Sequence, residues 1–185
     1  MGPFPHDAAP ATISDANPAG TDGFEFVEFA HQDPLQLTDL FERMGYIEVA
    51  HHKTKDISLY RQGRINYMLN REPNTHAARF VQQHGPCAPA MAWRVVDAKH
   101  ALKRAVDLGA TEYDGSDKTL NAPAVIGIGG SLLYFVDTYG AKGSAYNAEF
   151  NWLAAADPLP AGVGFYYLDH LTHNVTRGNM DTWYK

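Results

Sequence analysis

Cysteine is almost absent: Cys87 is the only one in 185 residues. A single thiol excludes an internal disulfide and any cysteine-rich zinc site. Long apolar runs are missing as well, and no stretch of about 18 residues is apolar enough for a membrane-spanning helix. The N-terminus has no basic region followed by an apolar core, so no secretory signal is visible. A cytoplasmic protein without a membrane partner is the expectation. Positive charge is scarce: 15 Lys+Arg stand against 21 Asp+Glu, a net charge of −6. No basic run or patch stands out, which argues against a nucleic-acid partner. What the chain does have is apolar surface. Its 45% hydrophobic and 12% aromatic residues are enough for a packed core rather than wholesale disorder.

Residues 1–22 are rich in Pro, Ala, Asp and Gly without an apolar period, and are expected to form a mobile leader. The run Phe24-Glu25-Phe26-Val27-Glu28-Phe29-Ala30 then alternates apolar and acidic positions, as a half-buried strand does. Asp33-Pro34 predicts a helix start, with Asp33 as N-cap and Pro34 in the first helical position. Leu37, Leu40, Phe41 and Met44 form its apolar stripe, and Gly45 is its stop. Strands are expected at 46–50, 57–62 and 65–70, the last two joined by the tight turn Gly63-Arg64.

After a short helix at 75–84 the same order returns. A strand at 90–96 leads to a helix capped by Asp97, with an apolar stripe of Ala101, Leu102, Ala105 and Leu108 and a stop at Gly109. Strands beginning at 111–113, 124–128 and 132–137 complete the unit, with Gly129-Gly130-Ser131 turning between the last two. Strands flank Gly127-Ile128-Gly129-Gly130, so a hairpin accounts for it better than a phosphate loop. Two β-α-β-β-β modules, about 23–72 and 88–140, therefore repeat with a period of roughly 65 to 75 residues in an α+β chain. Phe150 and Trp152 are expected to pin the irregular stretch 139–160 to the domain surface.

A third copy begins near the end. Residues 164–175 are aromatic and β-branched and predict a strand. On a strand Tyr166, Leu168, His170 and Thr172 share one face, while Asp169 and His173 fall on the other. His170 and His173 then cannot chelate one ion together. One of them can bind a metal with ligands from elsewhere, or be an ordinary hydrogen-bonded residue. Residues 179–185 start a helix in which the chain stops. The expected organisation is a leader, 1–22, a two-module domain, 23–155, and a linker with the truncated start of a further domain, 156–185. His51-His52 follows a strand and is a weak metal candidate, and His31, His76, His84 and His100 are expected to be solvated.

Paired modules of this kind resemble the vicinal oxygen chelate superfamily. Four stretches are more specific: residues 23–29, residues 55–63, Gly127-Ile128-Gly129-Gly130-Ser131, and Leu168-Asp169-His170-Leu171-Thr172-His173-Asn174-Val175. They resemble the bacterial 4-hydroxyphenylpyruvate dioxygenase family from residue 23 to the last residue, and the run around His170 is the most specific. That resemblance implies iron(II) held by two histidines and one glutamate, with His170 as the first histidine and the other two ligands beyond Lys185. It also implies a small 2-oxo acid substrate, dioxygen as co-substrate, and a homo-oligomer. The implied reaction gives homogentisate and carbon dioxide in tyrosine and phenylalanine catabolism. Asp169 would orient groups beside the ligand, and Thr172 would line the site.

4-Hydroxymandelate synthase shares fold, iron site and substrate, and is the alternative enzyme. A stand-alone small-molecule binding domain of the glyoxalase or bleomycin-resistance type is the alternative of another class. Aligning the copies puts Phe29 where the third has His170, and the second copy offers Met91-Ala92-Trp93 there. An apolar side chain is thus expected to fill the barrel where a metal would sit. The first domain should fold without metal, so a chelator is expected to leave its thermal midpoint unchanged. A drop of several degrees, restored by iron or zinc, would show a metal site misplaced by this reading.

Overall fold

The run of alternating residues becomes the centre of the sheet. The computed structural model describes residues 10–165 and 167–184, and in it β1 spans Thr21–Ala30. The elements that follow are α1 (Leu35–Arg43), β2 (Ile47–His52), β3 (Ile57–Gln62), β4 (Ile65–Asn70) and α2 (His76–His84). The second module is β5 (Cys87–Val95), α3 (Ala98–Asp107), β6 (Ala124–Ile126) and β7 (Leu132–Val136). β8 (Phe150–Trp152) and α4 (Met180–Tyr184) close the list of elements.

One sheet of eight strands carries them in the order β6-β7-β5-β1-β4-β3-β2-β8. β1 and β5 pair antiparallel at its middle, Val27 opposite Met91 and Glu28 opposite Ala90. Each of them has its own module's last strand as parallel neighbour, β4 beside β1 and β7 beside β5. The two modules thus repeat one arrangement about a central pair, as the α+β two-module reading requires. Gly63 turns the β3–β4 hairpin at φ 54, a backbone conformation open to glycine.

Two layers of packing hold the sheet. On its inner side Phe26, Leu59, Met68, Ala92 and Tyr134 meet Tyr146 and Phe150 from the stretch after β7. Phe150 and Trp152 pair with β2, so that stretch is part of the fold rather than pinned to its surface. On the outer side Phe41 of α1 lies among Phe29, Tyr60 and Tyr67 with ring centres 5.2–5.4 Å apart. The helix caps follow the sequence in part. Thr75 and Asp97 accept the backbone N–H of Ala78 and His100 as N-caps do. Asp33 does not: its Oδ2 takes a hydrogen bond from the Gln36 side chain, and Pro34 stands at the N-cap in helical geometry.

Some expected elements do not form. The strand at 111–113 shrinks to one bridge, Glu112 to Val125. Leu40 and Leu108 are exposed, because α1 and α3 each set only part of the predicted stripe against the sheet. Residues 164–175 are not a strand among the described residues, and Tyr166 lies outside them. No described strand runs beside this segment, and without a ladder its amides and carbonyls gain nothing from an extended pairing geometry. Of the expected leader, 1–9 lie outside the described residues. The rest is fastened: Ser14 and Asn17 exchange backbone hydrogen bonds, Asn17 caps Thr21, and Gly20 is buried and receives the N–H of Val96.

Truncating Phe41 removes the ring on which the outer layer converges. Phe41→Ala is expected to cost about 3–5 kcal/mol in urea unfolding, the range for a fully buried phenylalanine. A loss below about 1 kcal/mol would mean the aromatic layer packs without it.

Candidate functional site

The segment that carries His170 is tied to the first module. Arg61, Gln62 and Gly63 at the β3–β4 hairpin each hold it. Arg61 Nη1 donates to the Pro158 carbonyl at 2.7 Å, and Gly63 N donates to that of Pro160 at 2.8 Å. Gln62 is fully buried, and its Oε1 accepts from Val163 N at 2.7 Å and Phe165 N at 3.1 Å. Its Nε2 donates to the Met44 carbonyl at 2.8 Å. Gly162 passes so close that a Cβ there would lie 2.3 Å from the Gln62 side chain.

Five residues after Phe165 the segment reaches His170 in the open. His170 Nδ1 lies 2.7 Å from Asp169 Oδ2, and their side chains are 71% and 69% exposed. Thr172 is exposed too, and without a strand it shares no sheet face with His170. Among the described residues no three His, Cys, Asp or Glu side chains gather as a metal cluster. An imidazole oriented by a carboxylate suits one position of a metal site. Among the described residues no second and third donor complete a set with His170.

His52, His76 and His100 serve the fold. His52 is buried, with Nδ1 accepting from Thr54 N and Lys55 N, and burial lowers its pKa. His76 is not the solvated residue expected. Its Nε2 meets the Gly130 carbonyl at 2.8 Å and its ring rests near Phe80 and Tyr113, so burial lowers its pKa as well. His100 Nε2 holds the Pro18 carbonyl at 2.8 Å, anchoring the stretch before β1.

Inside the sheet the alignment of copies needs correction. Phe29 faces outward, among Phe41 and Tyr67, and does not fill the interior. Trp93 also faces outward, toward Val95 and α3, and of the three residues Met91, Ala92 and Trp93 only Ala92 joins the inner core. Register shifts between Phe24 and Phe26 and between Glu28 and Ala30 break the simple alternation of β1. The buried positions of β1 instead include Phe26 and two glutamates, Glu25 and Glu28.

Glu28, 1% exposed, accepts from Asn70 Nδ2 and Thr119 Oγ1, both at 2.7 Å. Burial outweighs these bonds and raises its pKa. Glu25, 5% exposed, ion-pairs with Arg94. Beside that pair Asn66 Nδ2 donates to the Glu25 carbonyl, and Arg61 Nε donates to Asn66 Oδ1 at 2.6 Å. An open pocket of about 730 Å³ lies there, lined among others by Arg61, Arg64, Arg94, Lys142 and Trp152. The acidic positions of β1 were read as the solvent side of a half-buried strand. Polar partners at facing positions of β4 and β5, Asn66, Asn70 and Arg94, are the signal that both of its sides are covered.

Residues 16–151 match the family model described as "Hydroxyphenylpyruvate dioxygenase, HPPD, N-terminal". Hemolysin VllY of Vibrio vulnificus is 52% identical over 174 residues, covering 90% of this chain and 48% of its own. A 4-hydroxyphenylpyruvate dioxygenase from a Pseudomonas species is 47% identical over 169 residues, covering 90% and 47%. The solved structure of a xylose isomerase-like TIM barrel/4-hydroxyphenylpyruvate dioxygenase fusion protein superposes with a TM-score of 0.80 at 34% identity, over 88% of this chain and 26% of that one. This chain spans about half the length of the curated relatives it matches.

The buried Glu28 gives a pH signature. Its native pKa lies above the ordinary carboxylate range near about 4.3, where the unfolded chain gives up the proton. Between the two values the native state holds more protons, so stability falls as pH rises through that window. Glu28→Gln keeps the acceptor for Asn70 and Thr119 without the charge. Its urea midpoint is expected to gain on the unmodified chain between pH 4 and pH 8. Parallel profiles would mean that Glu28 stays ionised in the fold.

Proposed function

The chain belongs to the hydroxyphenylpyruvate dioxygenase family, matching its amino-terminal domain, and from that premise we propose that it is part of a non-haem iron(II) dioxygenase. The reaction is conversion of 4-hydroxyphenylpyruvate and dioxygen to homogentisate and carbon dioxide. One observation carries this reading: the family model covers residues 16–151, nearly the whole two-module sheet. The 47% identity to a relative named 4-hydroxyphenylpyruvate dioxygenase supports it.

Within that enzyme the two-module domain is a scaffold, and His170 is the first protein ligand of the iron. Bound iron(II) with two histidines and a carboxylate keeps open positions for a 2-oxo acid and dioxygen. This chain's own residues contribute orientation. Asp169 Oδ2 accepts from His170 Nδ1, which fixes the tautomer and leaves the lone pair on Nε2 for a ligand bond. Gln62 fixes the approach to His170 by holding the backbone at Val163 and Phe165. Pairing of 164–175 with strands of a following module would set His170 and Thr172 on one face. Thr172 would then line the site.

Oxygen uptake with 4-hydroxyphenylpyruvate and added iron(II) tests the reading. The 185-residue chain alone is expected to turn over no faster than free iron, since one imidazole competes poorly with water for this ion. The complete enzyme is expected to form homogentisate, and its His170→Ala variant to lose turnover with the first domain still folded. Turnover by the chain alone, or an active His170→Ala enzyme, would overturn the assignment of His170. Formation of 4-hydroxymandelate instead of homogentisate would make the enzyme a synthase of that product.

A further inference from the structure

The open end of the sheet beside Glu25 holds more positive charge than the fold uses. Four cationic side chains, Arg61, Arg64, Arg94 and Lys142, line the pocket with two carboxylates, Asp22 and Glu25. Arg94 spends its Nε on Glu25, and Arg61 spends Nε and Nη1 on Asn66 and the Pro158 carbonyl. Arg61 Nη2 and both terminal nitrogens of Arg94 make no hydrogen bond among the described residues. These are not loose surface groups. Arg61 is 8% exposed and its guanidinium lies 5.1 Å from the centre of the Trp152 ring and 5.7 Å from that of Tyr146. The Arg94 guanidinium lies 5.4 Å from the Tyr139 ring. Rings and hydrogen bonds hold both planes in place before any ligand arrives.

We propose that this pocket binds a small organic carboxylate with an aromatic or apolar body. Planar guanidinium groups with unused N–H donors match a carboxylate, which can take two parallel hydrogen bonds from one of them. Trp152, Tyr139, Val96 and Leu159 offer the apolar wall for the rest of such a molecule. The carboxylates present do not neutralise the site. Glu25 is taken by Arg94, and Asp22 Oδ2 accepts from the Tyr139 hydroxyl at 2.8 Å. Asp22 Oδ1 is buried without a hydrogen-bond partner among the described residues, an acceptor that a ligand bearing an N–H or O–H group can satisfy. His170 is not among the residues that line the pocket, and no iron is involved, so the proposal stands or falls apart from the dioxygenase reading.

Benzoate and its neutral isostere benzamide are the probes, titrated into the whole chain while the Trp152 indole N–H resonance is followed. Benzoate is expected to shift that resonance saturably, and benzamide to bind at least tenfold more weakly. Added salt should weaken benzoate and leave benzamide unchanged. The paired variant Glu25→Gln/Arg94→Gln removes the cation without leaving a buried charge alone, and is expected to bind benzoate at least tenfold more weakly with an unchanged fold. Should that variant fail to fold, Arg64→Gln/Lys142→Gln changes only exposed side chains and is expected to lose two- to fivefold. Equal binding of the two probes would overturn the proposal. So would the absence of saturation, or unchanged benzoate affinity in the variant that folds.

Discussion

The antiparallel pairing of β1 with β5 is the contact on which everything else rests. It joins the two modules, and every other strand reaches the sheet's middle through one of these two. Either module alone would leave a long central strand with an unpaired edge. The pairing is also irregular, and its irregularity is useful. Phe26 and Glu28 share a face in one unbroken register, and the shift between Phe24 and Phe26 lets Glu25 be buried as well. A regular ladder would have kept Glu28 beside Phe26 and put Glu25 on the opposite face.

That detail explains what could and could not be read beforehand. Hairpins, glycine stops, the Asp97 cap and the repeat were legible because each depends on neighbours in sequence. The 57–62 and 65–70 strands coincide with β3 and β4 for the same reason. The buried roles of Glu25, Glu28 and Arg61 depend on strands brought together by the fold, with Arg94 on β5 and Thr119 beyond it. Counting residues between the copies puts Phe29 at the inner position of His170, but Phe26 and Glu28 hold that face of β1 and Phe29 lies on the other. The strand at 164–175 was misread for another cause. Its composition favours extended backbone, but a strand is a property of a pair, and composition reports only one member.

The hairpin between β3 and β4 fixes where the chain leaves the sheet after β8. A buried glutamine whose amide serves three backbone groups is costly to place and costly to lose, because each orphaned partner would pay its own desolvation. Gln62 ties Met44, Val163 and Phe165 together at the point where the chain leaves the sheet. Gly162 has no side chain to collide with it, and the adjacent Arg61 and Gly63 take the carbonyls of Pro158 and Pro160. Three consecutive hairpin residues therefore fix the path of one exit. His170 lies five residues past Phe165, exposed beside its Asp169 partner. The path of the segment toward His170 is thus set by side chains of the β3–β4 hairpin and not by its own composition.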